Sequence, residues 1–245
     1  DNDGLISNQA TITVTVNGVN DPPVVINESY TICSTGSVVD NILANGDYDP
    51  DITSLTINTT PVDGPDNGVF NIDSDGDFTY TPNVNFNGTD VVVIELCDGG
   101  TPLPAACVND TITITVYKAV ASDAGSNQAL CNLTSTTLDG NNPSPATGVW
   151  TLVSGPNSPA ITNTALYNTT VTSMVPGVYV FKWTITNGVC AASESTVTVT
   201  NSATPTTASV GATQNICGSL TSSSLGGNTP SNGTGAWSIV SGGTG

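Results

Sequence analysis

The chain contains an internal repeat, and the length of that repeat limits what each unit can be. Residues 128–155, QALCNLTSTTLDGNNPSPATGVWTLVSG, return at 214–242 as QNICGSLTSSSLGGNTPSNGTGAWSIVSG. Cys131 matches Cys217, Leu138 matches Leu225, Pro143 matches Pro230 and Trp150 matches Trp237. The offset is 86 residues at the cysteines and 87 at the tryptophans. Self-similarity at a fixed period marks an array in which each unit is one structural module. The second copy ends at Gly245 before its second half, so the chain is expected to be a slice of a longer tandem protein.

Within each module the pattern favours strands. Val, Ile and Thr recur in alternating runs, while the residues that usually cover helix surfaces (Lys, Arg, Glu) are nearly absent. Residues 1–19 read as the end of one module, with the alternating run Ala10–Val16 as its last strand. Val19-Asn20-Asp21-Pro22-Pro23-Val24 is a stiff junction, because two prolines bar helix and hold the chain extended. Strands are expected at 24–32, 37–44, 53–59, 68–72, 77–82, 90–97 and 108–117. Asp-Pro, Asp-Gly and Asn-Gly turns separate them. Seven short strands at this spacing predict an immunoglobulin-like sandwich over 20–118. A second module, 119–201, is expected to have strands at 134–138, 147–153, 159–162, 167–172, 177–186 and 192–200. Tyr179, Phe181 and Trp183 share one inward face there, with Trp150 packed across from them. Residues 202–245 begin a further module of this second type. The fold class is therefore all-β: tandem immunoglobulin-like β-sandwich modules in an extended array. A strand rise of ~3.3 Å makes each module roughly 30–40 Å long and the array about 100 Å.

Charge narrows the partners. The chain has 20 acids against Lys118 and Lys182, a net charge of −18. Nucleic acid is excluded as a partner, because phosphate contacts need Lys and Arg. No run of 18 apolar residues is present to span a membrane. All the acids except Asp123, Asp139 and Glu194 lie at or before Lys118, many of them in turns. Surplus negative charge also keeps a surface protein dispersed, but the clustering of Asp in turns favours hard cations bound by the first part and not the second. Asp73-Ser74-Asp75-Gly76-Asp77 superficially resembles a calcium loop, but its glycine is misplaced for one and an Asp-Gly hairpin turn is the better reading.

Six cysteines in a chain without His or a CxxC pair imply an oxidising compartment rather than zinc. Pairing within modules predicts Cys97–Cys107, which closes an 11-residue loop worth roughly 2–3 kcal/mol. It also predicts Cys131–Cys190, leaving Cys33 free, with a bond from Cys33 to Cys97 or Cys107 still open. No catalytic constellation is visible. His is absent, and neither GxSxG nor SxxK occurs. Asp110-Thr111-Ile112 fits a short Asp-Thr-Xaa O-glycosylation pattern, although an ordinary strand start is the simpler account.

Several spaced motifs carry a family resemblance. VNDPPV, then NILANGDYDPD, TPNVNFNGTD and ELCDGGTPLPAACVNDTITITV, resemble the bacterial cadherin-like tandem repeat over residues 1–118. QALC, GVW and PGVYVFKWTITNGVC resemble PKD-like immunoglobulin repeats over 119–245. Such repeats build giant surface adhesins of gliding bacteria, exported by type IX secretion. The resemblance implies an extracellular, outer-membrane-associated filament that carries adhesion, with calcium held at the joint between cadherin-like repeats. Mapped here, that joint takes Asn20 and Asp21 from the linker, Asp49 and Asp51 with Asp47 as a spare, and Asp98. Asp3 is the matching position for the preceding joint. Where such repeats commonly place an acid after the first strand, this chain has Cys33. The next joint, Tyr117-Lys118-Ala119-Val120, lacks the NDPP motif, so calcium is expected at the first joint only.

The expected function is thus a non-enzymatic shaft segment of a secreted surface adhesin. Its partners are neighbouring repeats of the same chain, and polysaccharide or a cell surface through other parts of the protein. The alternatives are a ligand-binding module and a spacer domain of a large extracellular hydrolase.

Overall fold

Alternation of buried and exposed side chains organises the structure. The computed structural model describes residues 10–51, 54–100, 103–218 and 224–241. Among the described residues every regular element is a strand. The chain divides into two compact units, Asp1–Ala119 with Gly188–Cys190, and Val120–Asn187 with Ala191–Gly245.

The first unit contains β1 (Glu28–Cys33), β2 (Val38–Asn41), β3 (Thr56–Ile57), β4 (Gly68–Ile72), β5 (Asp77–Pro82), β6 (Gly88–Cys97) and β7 (Cys107–Tyr117). They form two sheets, ordered β1-β7-β6-β3 and β2-β5-β4. First and last strands run parallel, with Glu28 opposite Ile112 and Cys33 opposite Tyr117. The period of two places Val92, Ile94 and Leu96 of β6, and Ile112, Ile114 and Val116 of β7, in the core with Phe78 and Tyr80 of β5. The segment Asp73–Gly76 is the β4–β5 turn, closed by Gly76 N–H donating to the Asp73 carbonyl at 3.1 Å. Gly76 has φ +93° there, a conformation that favours glycine.

The second unit contains β8 (Gln128–Cys131), β9 (Ser135–Thr137), β10 (Thr147–Ser154), β11 (Ala160–Ile161), β12 (Thr170–Thr172), β13 (Gly177–Thr186) and β14 (Ser193–Ser202). Its sheets are β10-β13-β14-β8 and β11-β12-β9, and again the first strand runs parallel to the last. Trp150 faces Trp183 in the β10–β13 register, with ring centroids 5.0 Å apart. Tyr179, Phe181 and Trp183 are fully buried on one face. Gly148 makes room for them, since a Cβ there would sit 2.2 Å from the Trp183 ring.

Three features differ from the sequence pattern. Residues 10–19 form no strand, and Ile12, Val14 and Val16 are exposed. Alternation alone does not make a strand, which also needs a ladder partner. β8 was not expected, because four residues carry too short a pattern to read. Residues 203–241 form no strand among the described residues, yet the repeat persists in their hydrogen bonds. Gln128 Nε2 donates to the Thr137 carbonyl at 2.7 Å, and Gln214 Nε2 to the Ser224 carbonyl at 2.8 Å. Trp237 is nevertheless 58% exposed where its counterpart Trp150 is 1% exposed.

The disulfides require a correction. Cys97 is bonded to Cys107, its direct rung partner in the β6–β7 ladder. Cys190 is bonded to Cys33, however, and Cys131 is an exposed free thiol. The parallel pairing of β8 with β14 explains why Cys131 does not reach Cys190. Cys131 lies opposite Ser202 at the end of β14, whereas Cys190 precedes Ser193 at its start. Ten residues of strand separate the two ends by roughly 30 Å. Cys190 belongs to the first compact unit, as Cys33 does.

Asp90 supplies the principal buried polar tie in the first unit. It is 3% exposed and accepts three hydrogen bonds, from the Asp66 amide, the Asn67 amide and Tyr80 Oη, each 2.9 Å. Together they fix the chain entering β4 against β5 and β6.

Two predictions follow from this packing. Asp90→Ala strands two amides and a buried hydroxyl, each costing about 1–3 kcal/mol, so the first unit should lose roughly 3 kcal/mol or more. Tyr80→Phe removes only one bond and should cost about 1 kcal/mol. Denaturant-dependent hydrogen exchange in β5 and β6 would measure both, and equal losses would contradict the assignment. Peptide mapping without reductant should recover Cys33 joined to Cys190 and Cys97 to Cys107, with Cys131 open to alkylation in the folded protein. A Cys131–Cys190 peptide would refute this connectivity.

Candidate metal centre

A hard cation needs converging oxygens, and the linker before β1 supplies some of them. Val24 forms a two-bond bridge to Tyr48, which pins the extended linker to the loop after β2. Asn20 Nδ2 then donates to Asp98 Oδ2 at 2.7 Å. The Asp21 amide donates to Asp51 Oδ2 at 2.7 Å, and the Asp51 amide to Asp49 Oδ1 at 3.0 Å. Asp98 sits in the loop after β6, where its Oδ1 accepts from the Gly100 and Ala106 amides at 2.8 and 3.0 Å. Both Asp49 and Asp98 are buried. Burial works to raise the Asp98 pKa, but hydrogen bonds from Ala106, Asn20 and Gly100 outweigh it and hold the carboxyl below its usual value. Asp98 is therefore ionised at neutral pH.

The structure thus groups Asn20, Asp21, Asp49, Asp51 and Asp98 at one end of the first unit. Every side-chain donor in the set is an oxygen, which suits calcium or magnesium and not a soft metal. The Oδ1 atom of Asn20 is buried without a hydrogen-bond partner, as a ligand oxygen awaiting an ion would be. The donor chemistry of the set suits a hard divalent cation, while among the described residues the acids whose ligand oxygens converge within 4.8 Å in a group of three are Glu28, Asp47 and Asp110. Asp3 lies outside the described residues.

Asp47 is placed elsewhere. Its carboxylate lies with those of Glu28 and Asp110, all within 4.8 Å of one another. Neither of these two partners was expected as a site residue. The signal was present in the register, because Glu28 occupies the inward position of β1 two residues before Tyr30, and Asp110 that of β7 two residues before Ile112. Burial raises Glu28 from 4.5 to about 8, and the charges of Asp110 and Asp47 add to the shift. Asp110 is raised to about 6, by burial first and then by the charge of Asp47. Burial also raises Asp47.

Residues 20–118 match the family described as bacterial cadherin-like domain. Residues 124–200 match the family described as K319L-like, PKD domain. The two matches lie in tandem, each over a unit whose regular elements are all strands among the described residues. Domains of both kinds are typically extracellular and non-catalytic. No curated protein matches the chain. Among solved structures it is similar to the PKD domain from KIAA 1837 protein, at 28% identity over 35% of this chain and 89% of that one, with TM-score 0.31. It is similar to the human desmocollin-1 ectodomain at 16% identity, covering 75% of this chain and 42% of that one, with TM-score 0.43. It is also similar to protocadherin gammaB7 EC3-6, at 14% identity over 79% of this chain and 54% of that one, with TM-score 0.48. The chain spans about half the length of these two cadherin structures. Among the described residues no helix is long and apolar enough to cross a membrane.

The raised acid has a measurable consequence in metal-free protein. A carboxyl whose folded pKa exceeds its unfolded value contributes stability below the unfolded pKa and loses it as pH rises through the folded one. The unfolding temperature in chelator should therefore fall between about pH 4.5 and pH 8. Glu28→Gln should flatten most of that slope. A wild-type profile that rises across this window would contradict the geometry of Glu28, Asp47 and Asp110.

Proposed function

We propose that this chain is a load-bearing segment of a secreted bacterial surface adhesin, stiffened by calcium at the joint that follows Val19. The observation that supports the reading is the oxygen set made by linker and loops. Asn20 and Asp21 of the linker are hydrogen-bonded to Asp98 and Asp51 of the module that follows. An ion bound by Asn20 Oδ1 together with Asp49, Asp51 and Asp98 would neutralise several like charges and tie the linker to the unit. Cadherin-like domains generally bind calcium. The segment after Lys118 offers no comparable group of acids, since only Asp123, Asp139 and Glu194 follow it.

In this reading the segment holds a binding tip away from the cell and transmits force. Its partners are adjacent repeats of the same chain, and polysaccharide or another cell is gripped by other parts of the protein. Placement on the outer membrane of a gliding bacterium by type IX secretion belongs to the same proposal. A mechanical role needs no catalytic group, and the absence of His removes the commonest general base.

The test is hydrogen exchange on the full chain with calcium and with chelator. Calcium should protect amides of residues 18–24 and the loop holding Asp98, and leave residues 117–121 unchanged. Asp98→Asn should abolish the protection. Equal changes at both segments, or none at either, would overturn the proposal.

A further inference from the structure

Two buried acids, Glu28 and Asp110, meet the half-buried Asp47 inside the first unit, and the protein offers them no positive charge. Asp110 has no exposed surface and Glu28 is 8% exposed. The chain has only two lysines. Lys182 pairs with Glu194 at 2.8 Å. Lys118 follows the far end of β7, eight residues and roughly 26 Å along the strand from Asp110. Isolated carboxylates are not buried at such a spacing without either a proton or a counter-ion.

The hydrogen bonds show which oxygens are left over. Glu28 Oε1 accepts from Asn45 Nδ2 at 2.5 Å, and Asp47 Oδ1 accepts from the Ile26 amide at 2.7 Å. Asn45 Nδ2 also donates to the Ile26 carbonyl, which anchors the amide side chain. Glu28 Oε2, Asp47 Oδ2 and both oxygens of Asp110 are buried with no hydrogen-bond partner. Each of the two outer carboxylates is thus oriented through one oxygen and keeps the other open, the arrangement in which outer donors position metal ligands. Asp110 keeps both.

We propose that Glu28, Asp47 and Asp110 form a binding site for a hard divalent cation of the calcium class, inside the first sandwich and separate from the linker set. One oxygen from each of the three carboxylates converges with the other two, and the four unbonded oxygens of the group supply at least half of the six to eight that calcium takes, with water able to supply the rest. Opposed ligands of calcium stand about 5 Å apart, so oxygens within 4.8 Å of one another fit its shell. The two sites are distinct in the ladder. Asp98 follows the Cys97–Cys107 rung, whereas Asp110 lies three residues inside it, roughly 10 Å away. Because β1, β7 and the loop after β2 meet only in the folded unit, this ion binds the folded state alone and stabilises it.

The test uses the full chain and calcium itself, with ions bound per chain counted by calorimetric titration. Asp110→Asn should bind one ion fewer than wild type. An Asp51→Asn, Asp98→Asn double variant should keep the internal ion, so a failure of the linker reading leaves this site testable by itself. Glu28→Gln serves as a second variant, and circular dichroism in chelator establishes that each protein is folded. In chelator Asp110→Asn should unfold at the wild-type temperature or above, because it relieves repulsion. In calcium it should unfold below wild type. Equal ion counts for wild type and both single variants would overturn the proposal and make the three acids a proton-sharing cluster.

Discussion

The parallel pairing of first and last strands is the constraint on which both units depend. In each unit it closes one sheet of the sandwich, β1 on β7 and β8 on β14. It also decides which end of the unit receives each side chain. Glu28 enters beside the start of β7 and so meets Asp110, while Cys33 leaves beside Tyr117. Cys131 is carried to the end of β14, away from the hairpin that holds Cys190. A one-residue slip in either pairing would exchange the inward and outward faces of the strand. The core positions Tyr30 and Ile32, and the acid at Glu28, are therefore set by one register.

Scarcity of cations shapes the polar chemistry of the first unit. With two lysines against 20 acids, ion pairing is not available as the general answer to buried carboxylates. Asp90 and Asp98 are satisfied by backbone amides and by Tyr80 or Asn20. Amides do this well, because a carboxylate that accepts several keeps its charge at low cost. Burial first, and then the charges of neighbouring acids, move the titration of Glu28 and Asp110 upward, whereas at Asp98 the hydrogen bonds outweigh burial and move it downward.

Much of the fold was legible in the sequence. The long strands β6, β7, β13 and β14 alternate over ten or eleven residues, and their turns carry Gly or Asn at the required places. Short elements were less readable. β8 has four residues, and only its partner β14 makes it a strand. The linker set was legible through family resemblance, since turn-rich acids such as Asp49 and Asp51 look alike whether or not they bind an ion. The buried acids were legible in principle, from an acid at an inward register position, but that register depends on the pairing partner. The connectivity of Cys190 was not legible. It depends on which end of a parallel pair each cysteine occupies, and local sequence does not carry that information.

The Cys97–Cys107 bond has a bearing on Asp98 beyond fold stability. Asp98 is the first residue inside the ring that this bond closes, and the amides of Gly100 and Ala106 that hold it are in the same ring. The ring restricts the loop before any ligand arrives, so the ordering cost of presenting the carboxylate is met during oxidative folding rather than at binding. Opening the ring would hand that cost back to every ligand that uses Asp98. On the proposed reading, the affinity of the linker set for an ion would in this sense be tied to the oxidation state of two sulfurs that touch no ion.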